Sequence, residues 1–137
     1  MRTIKFKGKN LDGEWVYGFY VEEERQTLNG FEKKYFIVND GYDYVKPDTV
    51  GQFTGLHDKD GKEIYEGDIL RRKDGGALLK VEFRHGAFGY EYCGEFHSWA
   101  GNHNFTFNPF DTDVDFSIIG NIHDNPELLK KEMGCGE

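Results

Sequence analysis

The sequence has few cysteines, no long apolar run and no apolar core in its first ten residues, and each shortage disfavours a class of protein. Its two cysteines, Cys93 and Cys135, are too few for a disulfide framework and are predicted to be free thiols. No apolar run approaches the roughly 18 residues that a membrane-spanning helix needs. The first ten residues, MRTIKFKGKN, lack the apolar core of a signal peptide. We therefore expect a cytoplasmic protein with no membrane partner.

Basic residues are also scarce, because 17 Lys and Arg stand against 25 Asp and Glu, which gives a net charge of -8 at pH 7. Broad binding to nucleic acid needs clustered cations that neutralise phosphates, so the overall charge disfavours it. A local basic patch is still compatible with this composition. The candidates for such a patch are Lys5, Lys7, Lys9, Arg71, Arg72 and Lys73.

Glycine and aromatic residues are abundant. The 137 residues include 18 Gly, 12 Phe and 8 Tyr, and aromatic residues make up 16% of the chain. This composition is typical of short strands joined by tight turns. The length suits one compact domain or two small ones that share a core. We therefore expect an all-β protein.

The first part of the chain predicts an antiparallel meander. Asp12-Gly13 and Asn29-Gly30 are hairpin turn signals, and Gly18 is expected to mark a bulge or a close backbone approach. The charged run at 22–25 predicts a solvated loop. Apolar and polar residues alternate in four predicted strands, at residues 3–6, 14–21, 35–38 and 42–45.

The remainder predicts further strands and one helix. A polar turn at Asp60-Gly61 and a bend at Gly67-Asp68 separate apolar segments, and residues 93–109 predict a long loop or an irregular hairpin. Asn125 as N-cap and Pro126 at the first helical position predict a short helix near the end of the chain. Strands are predicted at residues 50–56, 69–71, 77–83, 87–92 and 116–122.

Three segments resemble one protein family. The most distinctive is VGQFTGLHDKDGKEIYEGDIL at residues 50–70, and it is accompanied by GAFG at 86–89 and IIGNIHDNPELL at 118–129. Together they are similar to segments of the YopX family, whose members are encoded mainly by bacteriophages and prophages of low-GC Gram-positive bacteria. The resemblance covers roughly residues 50–129, and the match before it is weaker.

The resemblance implies an all-β fold with an SH3-like barrel in its C-terminal part. The expected organisation is an N-terminal antiparallel β meander at residues 1–49, the barrel at 50–124, and a short helix with a flexible tail at 125–137. The family offers no assigned activity, so it implies no catalytic residue, cofactor or metal ligand.

Three groups of residues could carry chemistry. Asp58, Asp60 and Glu63 surround Gly61 in a turn, but the glycine does not take its place in the EF-hand calcium loop, so a hairpin turn is the better interpretation. Cys93, His97 and His103 supply three potential zinc ligands where a structural site wants four. Cys93, His97 and Asp111 are residue types that could form a catalytic triad, but any chain of this length contains such a combination. We expect no enzyme, and no cofactor.

An aromatic-rich segment is the strongest candidate for a working surface. It has no Lys or Arg between Glu91 and Pro109, so stacking on nucleic-acid bases is disfavoured, and core packing or a protein interface is left. The candidate partner surface consists of Tyr90, Tyr92, Phe96, Trp99, Phe105, Phe107 and Phe110.

The expected function is a non-enzymatic module that binds a protein partner or assembles as a homo-oligomer. The alternative is a nucleic-acid-associated SH3-like barrel protein. A metal-dependent enzyme that uses Cys93, His97 and His103 is a third and weaker hypothesis.

Overall fold

A computed structural model describes residues 4–72, 78–84, 86–92, 95–98 and 116–131, and all structural statements below concern these residues. Antiparallel strands dominate them, and they contain a single short helix, so the all-β prediction is confirmed. Contacts between Cα atoms divide the chain into two compact units, Met1–Phe53 and Thr54–Glu137. The helix is too short to cross a membrane.

The elements alternate with turns along the whole described chain. A single 3-10 turn, Pro47–Thr49, interrupts the strands after the fourth of them. The elements are β1 (Phe6–Lys9), β2 (Trp15–Thr27), β3 (Gly30–Val38), β4 (Tyr42–Tyr44), β5 (Gly51–His57), β6 (Glu63–Tyr65), β7 (Asp68–Arg72), β8 (Leu78–Arg84), β9 (Ala87–Tyr92), β10 (Glu95–Ser98), β11 (Phe116–Asn121) and α1 (Glu127–Lys131).

The strands of the first unit are ordered β4-β3-β2-β1-β5, and every neighbouring pair is antiparallel. The predicted meander of the first four strands is therefore confirmed, and β5 returns to pair with the other edge of β1. The Asp12-Gly13 turn is confirmed as well. The Asn10 side-chain oxygen accepts hydrogen bonds from the backbone N–H groups of Asp12 and Glu14, each at 2.9 Å.

The loop predicted at residues 22–25 is wrong, because these residues lie in β2 and pair with β3. Glu23 lies opposite Lys34 and Glu24 opposite Lys33, and the Glu22 carboxylate lies 3.8 Å from the Lys33 ammonium. Opposite charges on neighbouring strands stabilise a sheet, so a charged run forms a strand when its cross-strand neighbours are complementary.

Gly18 marks a close backbone approach, as its position in β2 predicts. A Cβ atom built there would overlap the carbonyl oxygen of Val38 and lie 3.2 Å from Cγ2 of Ile37. Ile37 is fully buried, so it has little room to move aside. Glycine is thus the residue that lets β2 and β3 lie this close together.

Replacing Gly18 by alanine is expected to lower the free energy of unfolding by about 1–3 kcal/mol, because the added methyl group forces backbone and core to shift. Gly41→Ala is the matched control, since a Cβ atom at Gly41 meets nothing within 4 Å. Chemical denaturation measures both variants. Equal unfolding free energies for the two would contradict the close approach.

The second unit contains an antiparallel sheet with the order β10-β9-β8-β7-β11. Side chains from one face of this sheet, together with Ile64 of β6, form a core cluster, and the half-buried Ile118 packs against it. The strands pair in this open order among the described residues, and the SH3-like barrel stays a prediction. The core consists of Ile64, Leu70, Leu79, Val81, Tyr90 and Phe116.

The segment at residues 50–70 contains two turns, one between β5 and β6 and one between β6 and β7. Gly61 has φ 86° in the hairpin between β5 and β6, and its N–H donates to the carbonyl of Asp58 at 3.0 Å. At the second turn the Asp68 carboxylate accepts a hydrogen bond from the Tyr65 N–H at 2.8 Å, and the Gly67 N–H donates to the carbonyl of Val81. The predicted turn and bend are therefore confirmed.

The closing segment at residues 118–129 is also structural. The Asn121 side-chain oxygen accepts hydrogen bonds from the N–H groups of His123 and Asp124, both at 2.9 Å. Asn125 was predicted as the N-cap of the helix, and this stays a prediction. Its side-chain oxygen accepts a hydrogen bond from the backbone N–H of Asn121 at 3.3 Å.

Candidate functional site

The structure describes only part of the aromatic segment that the sequence singled out. Tyr90 is 1% exposed and packs in the core of the second unit, so its assignment to a partner surface is wrong. β9 runs between β8 and β10, and the Tyr90 ring lies on the inner face with Val81 opposite. Burial raises the pKa of the Tyr90 hydroxyl well above its ordinary value.

The other aromatic candidates differ in how much of them the structure describes. Phe96 lies on β10 and is half-buried, with the Arg84 guanidinium 5.6 Å from its ring centroid. Tyr92 ends β9, and its side chain lies outside the description. Four more members of the predicted surface lie outside the described residues, so their role stays a prediction. They are Trp99, Phe105, Phe107 and Phe110.

The predicted metal ligands are not brought together in the part of the chain that is described. His97 lies on β10, whereas Cys93 and His103 fall outside the described residues, so the zinc hypothesis stays untested. Across the described ranges no three side chains of His, Cys, Asp or Glu are placed to hold a metal ion. In the acidic turn, both carboxylate oxygens of Asp58 accept backbone hydrogen bonds.

Charged side chains cluster on β8 and β9, on the face of the second sheet opposite to that of Val81 and Tyr90. The Lys80 ammonium lies 2.8 Å from the Glu82 carboxylate and 2.9 Å from that of Glu91, and Arg84 lies 2.6 Å from the other oxygen of Glu82. Lys80 is partly desolvated, but its hydrogen bonds to the two carboxylates raise its pKa. With two cations against two carboxylates this cluster is neutral, and we interpret it as a cross-strand ion-pair network.

A different aromatic surface lies on the sheet of the first unit. Phe19 of β2 lies opposite Val38 of β3, which lies opposite Tyr42 of β4. Two residues before Val38 on β3, and therefore on the same face, Phe36 lies opposite Tyr44 of β4. Side chains of directly opposite residues share a face of the sheet. We call the surface formed by Phe19, Phe36, Tyr42 and Tyr44 the aromatic face.

The aromatic face is exposed at its rim and packed at its centre. Phe36 is 3% exposed, and its ring centroid lies 4.7 Å from that of Tyr44 and 5.4 Å from that of Tyr42. The rings around it remain open to solvent, since Phe19 and Tyr42 are each 64% exposed and Tyr44 is 45% exposed. Rings that are held in place by a buried neighbour present apolar area to a partner at little conformational cost.

The Lys34 side chain borders this face. The Lys34 ammonium lies 5.8 Å from the Tyr44 ring centroid and 2.7 Å from the Glu32 carboxylate. The hydrogen bond to Glu32 raises the pKa of Lys34. The aromatic face is therefore a mainly apolar surface with a charged border.

The proposed basic patch is only partly exposed. On β1 the Lys7 ammonium lies 4.5 Å from the Trp15 ring centroid and that of Lys9 lies 5.4 Å from it, and Lys7 is 8% exposed. Lys5 lies 5.7 Å from the Phe53 ring centroid. Arg71 lies half-buried on β7. The Arg72 side chain and Lys73 lie outside the described part of the chain.

The sequence contained a signal for the aromatic face. Tyr17 and Phe19 alternate with other residues in β2, and Tyr42 and Tyr44 do so in β4, so each pair was predictable as one strand face. The register that places Phe19 in the row of Tyr42 depends on β3 between them. Phe19 and the pair Tyr42 and Tyr44 come from two segments more than twenty residues apart. Their proximity was therefore not predictable from the spacing within either segment.

Comparisons with known proteins agree on the fold. The family model described as YopX protein matches residues 3–130. Among solved structures, the crystal structure of protein EF1440 from Enterococcus faecalis matches with a TM-score of 0.53 and 24% sequence identity, over 94% of this chain and 99% of that chain. At this identity the likeness shows the fold alone. No curated protein matches the sequence.

Proposed function

The chain belongs to the YopX family, and we propose that it is a non-enzymatic, cytoplasmic accessory protein of a bacteriophage or prophage that binds protein, either a partner or its own copies. The aromatic face is the observation that carries this proposal. Protein interfaces are enriched in Tyr and Phe at their centres, where rings are removed from water on binding. The family resemblance supports the phage or prophage origin.

The composition of the aromatic face suits protein rather than a small polar ligand. Its exposed members are two tyrosines and a phenylalanine, and each tyrosine adds a hydroxyl group that remains hydrogen-bonded at the rim of an interface. The sheet holds the rings of Tyr42 and Tyr44 at fixed spacing around Phe36. A preorganised surface loses less conformational entropy on binding than flexible loops do.

The double substitution of Phe19→Ser and Tyr42→Ser is expected to weaken protein binding at least about a hundredfold, because each ring is of the type that dominates interfaces. Binding is measured with the full chain, by light scattering for self-association and by quantitative capture from host cells for a partner. Leu11→Ser is the control, because Leu11 is 69% exposed but lies outside the aromatic face.

The comparison of the double variant with Leu11→Ser can support or refute the proposal. Loss of the same captured protein, or of the same oligomer, in the double variant but not in Leu11→Ser supports the proposal. Circular dichroism must show that the double variant keeps its strand content. If the double variant and the control bind as the unchanged chain does, the aromatic face is not the binding surface and the proposal fails.

A second candidate function is association with nucleic acid, and the nearly neutral charge of the first unit is compatible with it. Residues 1–53 carry 8 Lys and Arg against 9 Asp and Glu, whereas residues 54–137 carry 9 against 16, so the negative charge is concentrated in the second unit. Lys5, Lys7 and Lys9 approach aromatic rings on the sheet of the first unit. Lys7, however, is buried, and buried cations do not reach phosphates.

Fluorescence anisotropy with labelled single-stranded DNA at low salt tests this alternative. Binding that weakens steeply as salt rises and that Lys9→Gln reduces would favour nucleic acid over protein as the ligand. We expect no binding, because the net charge of the chain is -8.

A further inference from the structure

The aromatic face continues along β2 to a further tyrosine. Tyr17 precedes Phe19 by two residues on this strand, so both side chains lie on the same face of the sheet. Tyr17 is 44% exposed, against 64% for Phe19. The surface that a partner can contact therefore runs from Tyr17 and Phe19 on β2, across β3, to Tyr42 and Tyr44 on β4.

The area of this surface suits a short segment better than a second copy of the chain. The side chains of Tyr17 and of the three exposed members of the aromatic face are each 44–64% exposed. Since an aromatic side chain can bury about 150–250 Å², they offer roughly 400 Å² together. A stable dimer buries about 800 Å² on each partner. These rings alone are thus too small a contact for a dimer, whereas one segment of a partner protein can cover them.

The charge at the border of the surface disfavours nucleic acid as the occupant. The Lys34 ammonium lies 2.7 Å from the Glu32 carboxylate, so its charge is already paired. Single-stranded nucleic acid is bound by cations that track the phosphates as well as by stacking on rings. A mainly uncharged segment therefore complements this surface better than a polyanion does.

The spacing of two exposed rings indicates the conformation of the segment. Phe19, Val38 and Tyr42 form one row across three neighbouring strands, with the half-buried Val38 in the middle. Two strand spacings separate the Cα atoms of Phe19 and Tyr42 by about 9.5 Å. Residues i and i+3 of a polyproline II helix lie on the same side, about 9.3 Å apart. A β-strand repeats on one side about every 6.7 Å, which does not match the row.

The tyrosine hydroxyls distinguish a polyproline II segment from an α-helix. Within the described part of the chain, neither the Tyr42 nor the Tyr44 hydroxyl is hydrogen-bonded to another residue. The backbone carbonyls of an α-helix are mostly bonded within the helix, whereas those of a polyproline II helix make no internal hydrogen bond. Only the second conformation offers backbone acceptors to both hydroxyls along its length.

We propose that this surface binds a proline-rich segment of a partner protein, held in the polyproline II conformation across β2, β3 and β4. Prolines three residues apart pack on Phe19 and Tyr42, and carbonyls of the segment accept hydrogen bonds from the hydroxyls of Tyr42 and Tyr44. Proline fixes φ near its value in this conformation, so the segment loses little conformational entropy on binding. This inference rests on the proposed function, since it names the part of the partner that the aromatic face binds.

Fluorescence anisotropy with labelled peptides and the full chain tests the spacing. The two probes have the same length, the same number of prolines and the same other residues. In one the prolines are three residues apart, and in the other they are four apart. The first is expected to bind at least about tenfold more tightly, because only its prolines lie on one side of the helix. Equal affinities, or no binding of either peptide, would overturn the proposal.

Substitutions locate the binding surface with the first peptide as the probe. Phe19→Ser and Tyr42→Ser are each expected to weaken binding at least about tenfold, because each removes one ring of the row. Tyr42→Phe keeps the ring and loses a hydroxyl donor, so we expect a loss of about threefold. Phe31→Ser is the matched control, since Phe31 is 72% exposed and lies on the opposite face of β3 from Phe36.

Circular dichroism checks that every variant keeps its strand content. Unchanged peptide binding is expected for the Phe31→Ser control. If Phe31→Ser weakens binding as much as Phe19→Ser does, the peptide does not occupy the aromatic face and the proposal is wrong.

The same variants separate failure of this inference from failure of the proposed function. If neither peptide binds, but the double variant Phe19→Ser and Tyr42→Ser still loses a captured protein or an oligomer, only the polyproline inference fails. If neither peptide binds and the double variant keeps its protein partner, both fail. Labelled single-stranded DNA that binds in place of the peptides, and that Phe19→Ser releases, would overturn both in favour of nucleic acid.

Discussion

Replacing Tyr90 by alanine is expected to lower the free energy of unfolding by about 3–5 kcal/mol, the cost typical of removing a buried aromatic ring. Tyr90 is 1% exposed and packs with Val81, Leu79 and Phe116 in the core of the second unit. Truncation leaves a cavity that the surrounding sheet fills only in part, because β8 and β10 hold β9 on both sides. Urea denaturation followed by circular dichroism measures the loss.

Phe96→Ala is the informative control, because Phe96 was predicted from the same aromatic segment. Its ring is half-buried and contacts the Arg84 guanidinium at 5.6 Å, so its removal is expected to cost about 1 kcal/mol. If Phe96→Ala is as destabilising as Tyr90→Ala, the core is placed wrongly. If Tyr90→Ala unfolds at the same denaturant concentration as the unchanged chain, Tyr90 is not a core residue.

The different fates of Tyr90 and Phe19 show why an aromatic segment is a poor guide to a surface. In the sequence both are rings in alternating strands. Tyr90 lies on a central strand whose inner face is covered, whereas Phe19 lies where the register places it in a row with the exposed Tyr42. Burial depends on which face of which sheet a ring occupies, and neither composition nor spacing determines that.

Local chemistry predicted the turns well. Asp12-Gly13 and Asp60-Gly61 were placed correctly because glycine supplies the positive φ of a tight turn within a few residues. Gly18 was predictable too, as a glycine inside an alternating strand. Each of these depends on neighbours within one hairpin, where sequence and structure are close.

The strand pairing at residues 22–25 was missed for the opposite reason. The run Glu22–Arg25 has the composition of a solvated loop, and it is a strand because Lys33 and Lys34 lie opposite its carboxylates. A strand of this kind cannot be predicted from one segment, since its stability depends on charges about ten residues away along the chain. Polar strands that are exposed on both faces also lack the apolar alternation that marks other strands.

Replacing Asp58 by alanine is expected to lower the free energy of unfolding by about 3 kcal/mol, because one buried carboxylate satisfies three backbone donors. Its Oδ1 accepts from the N–H groups of Asp60 at 2.8 Å and Lys62 at 2.9 Å, which closes the hairpin between β5 and β6. Its Oδ2 accepts from Ile118 of β11 at 3.1 Å, a residue 60 positions away. Asp58 thus joins two distant segments of the second unit.

Asp60→Ala is the control for this turn. Asp60 is exposed, and its carboxylate makes a single long ion pair with Lys59 at 3.9 Å, so its loss is expected to change the free energy of unfolding by less than about 0.5 kcal/mol. Denaturation of both variants at neutral pH gives the comparison. Similar losses from the two substitutions would mean that the turn, and not the Asp58 carboxylate, determines stability.

The Asp58 carboxylate also predicts how stability depends on pH. Burial alone would raise its pKa, but the hydrogen bonds from Lys62, Ile118 and Asp60 outweigh burial and hold the pKa below its ordinary value. A carboxyl whose pKa is lower in the folded state stabilises the fold above its unfolded pKa of about 3.9, and this contribution disappears as the pH falls through the folded pKa.

The unchanged chain should therefore lose stability in acid more steeply than Asp58→Asn, in which the side chain at this position no longer titrates. Asparagine keeps one oxygen acceptor for the turn but sets an NH2 group against the Ile118 N–H, so this variant begins less stable at neutral pH. The two unfolding free energies are expected to converge as the pH falls below about 4. If the difference between the two unfolding free energies stays the same from pH 7 to acid, Asp58 is not the titrating group. The hydrogen bonds from Asp60, Lys62 and Ile118 would then not depend on an ionised Asp58 carboxylate.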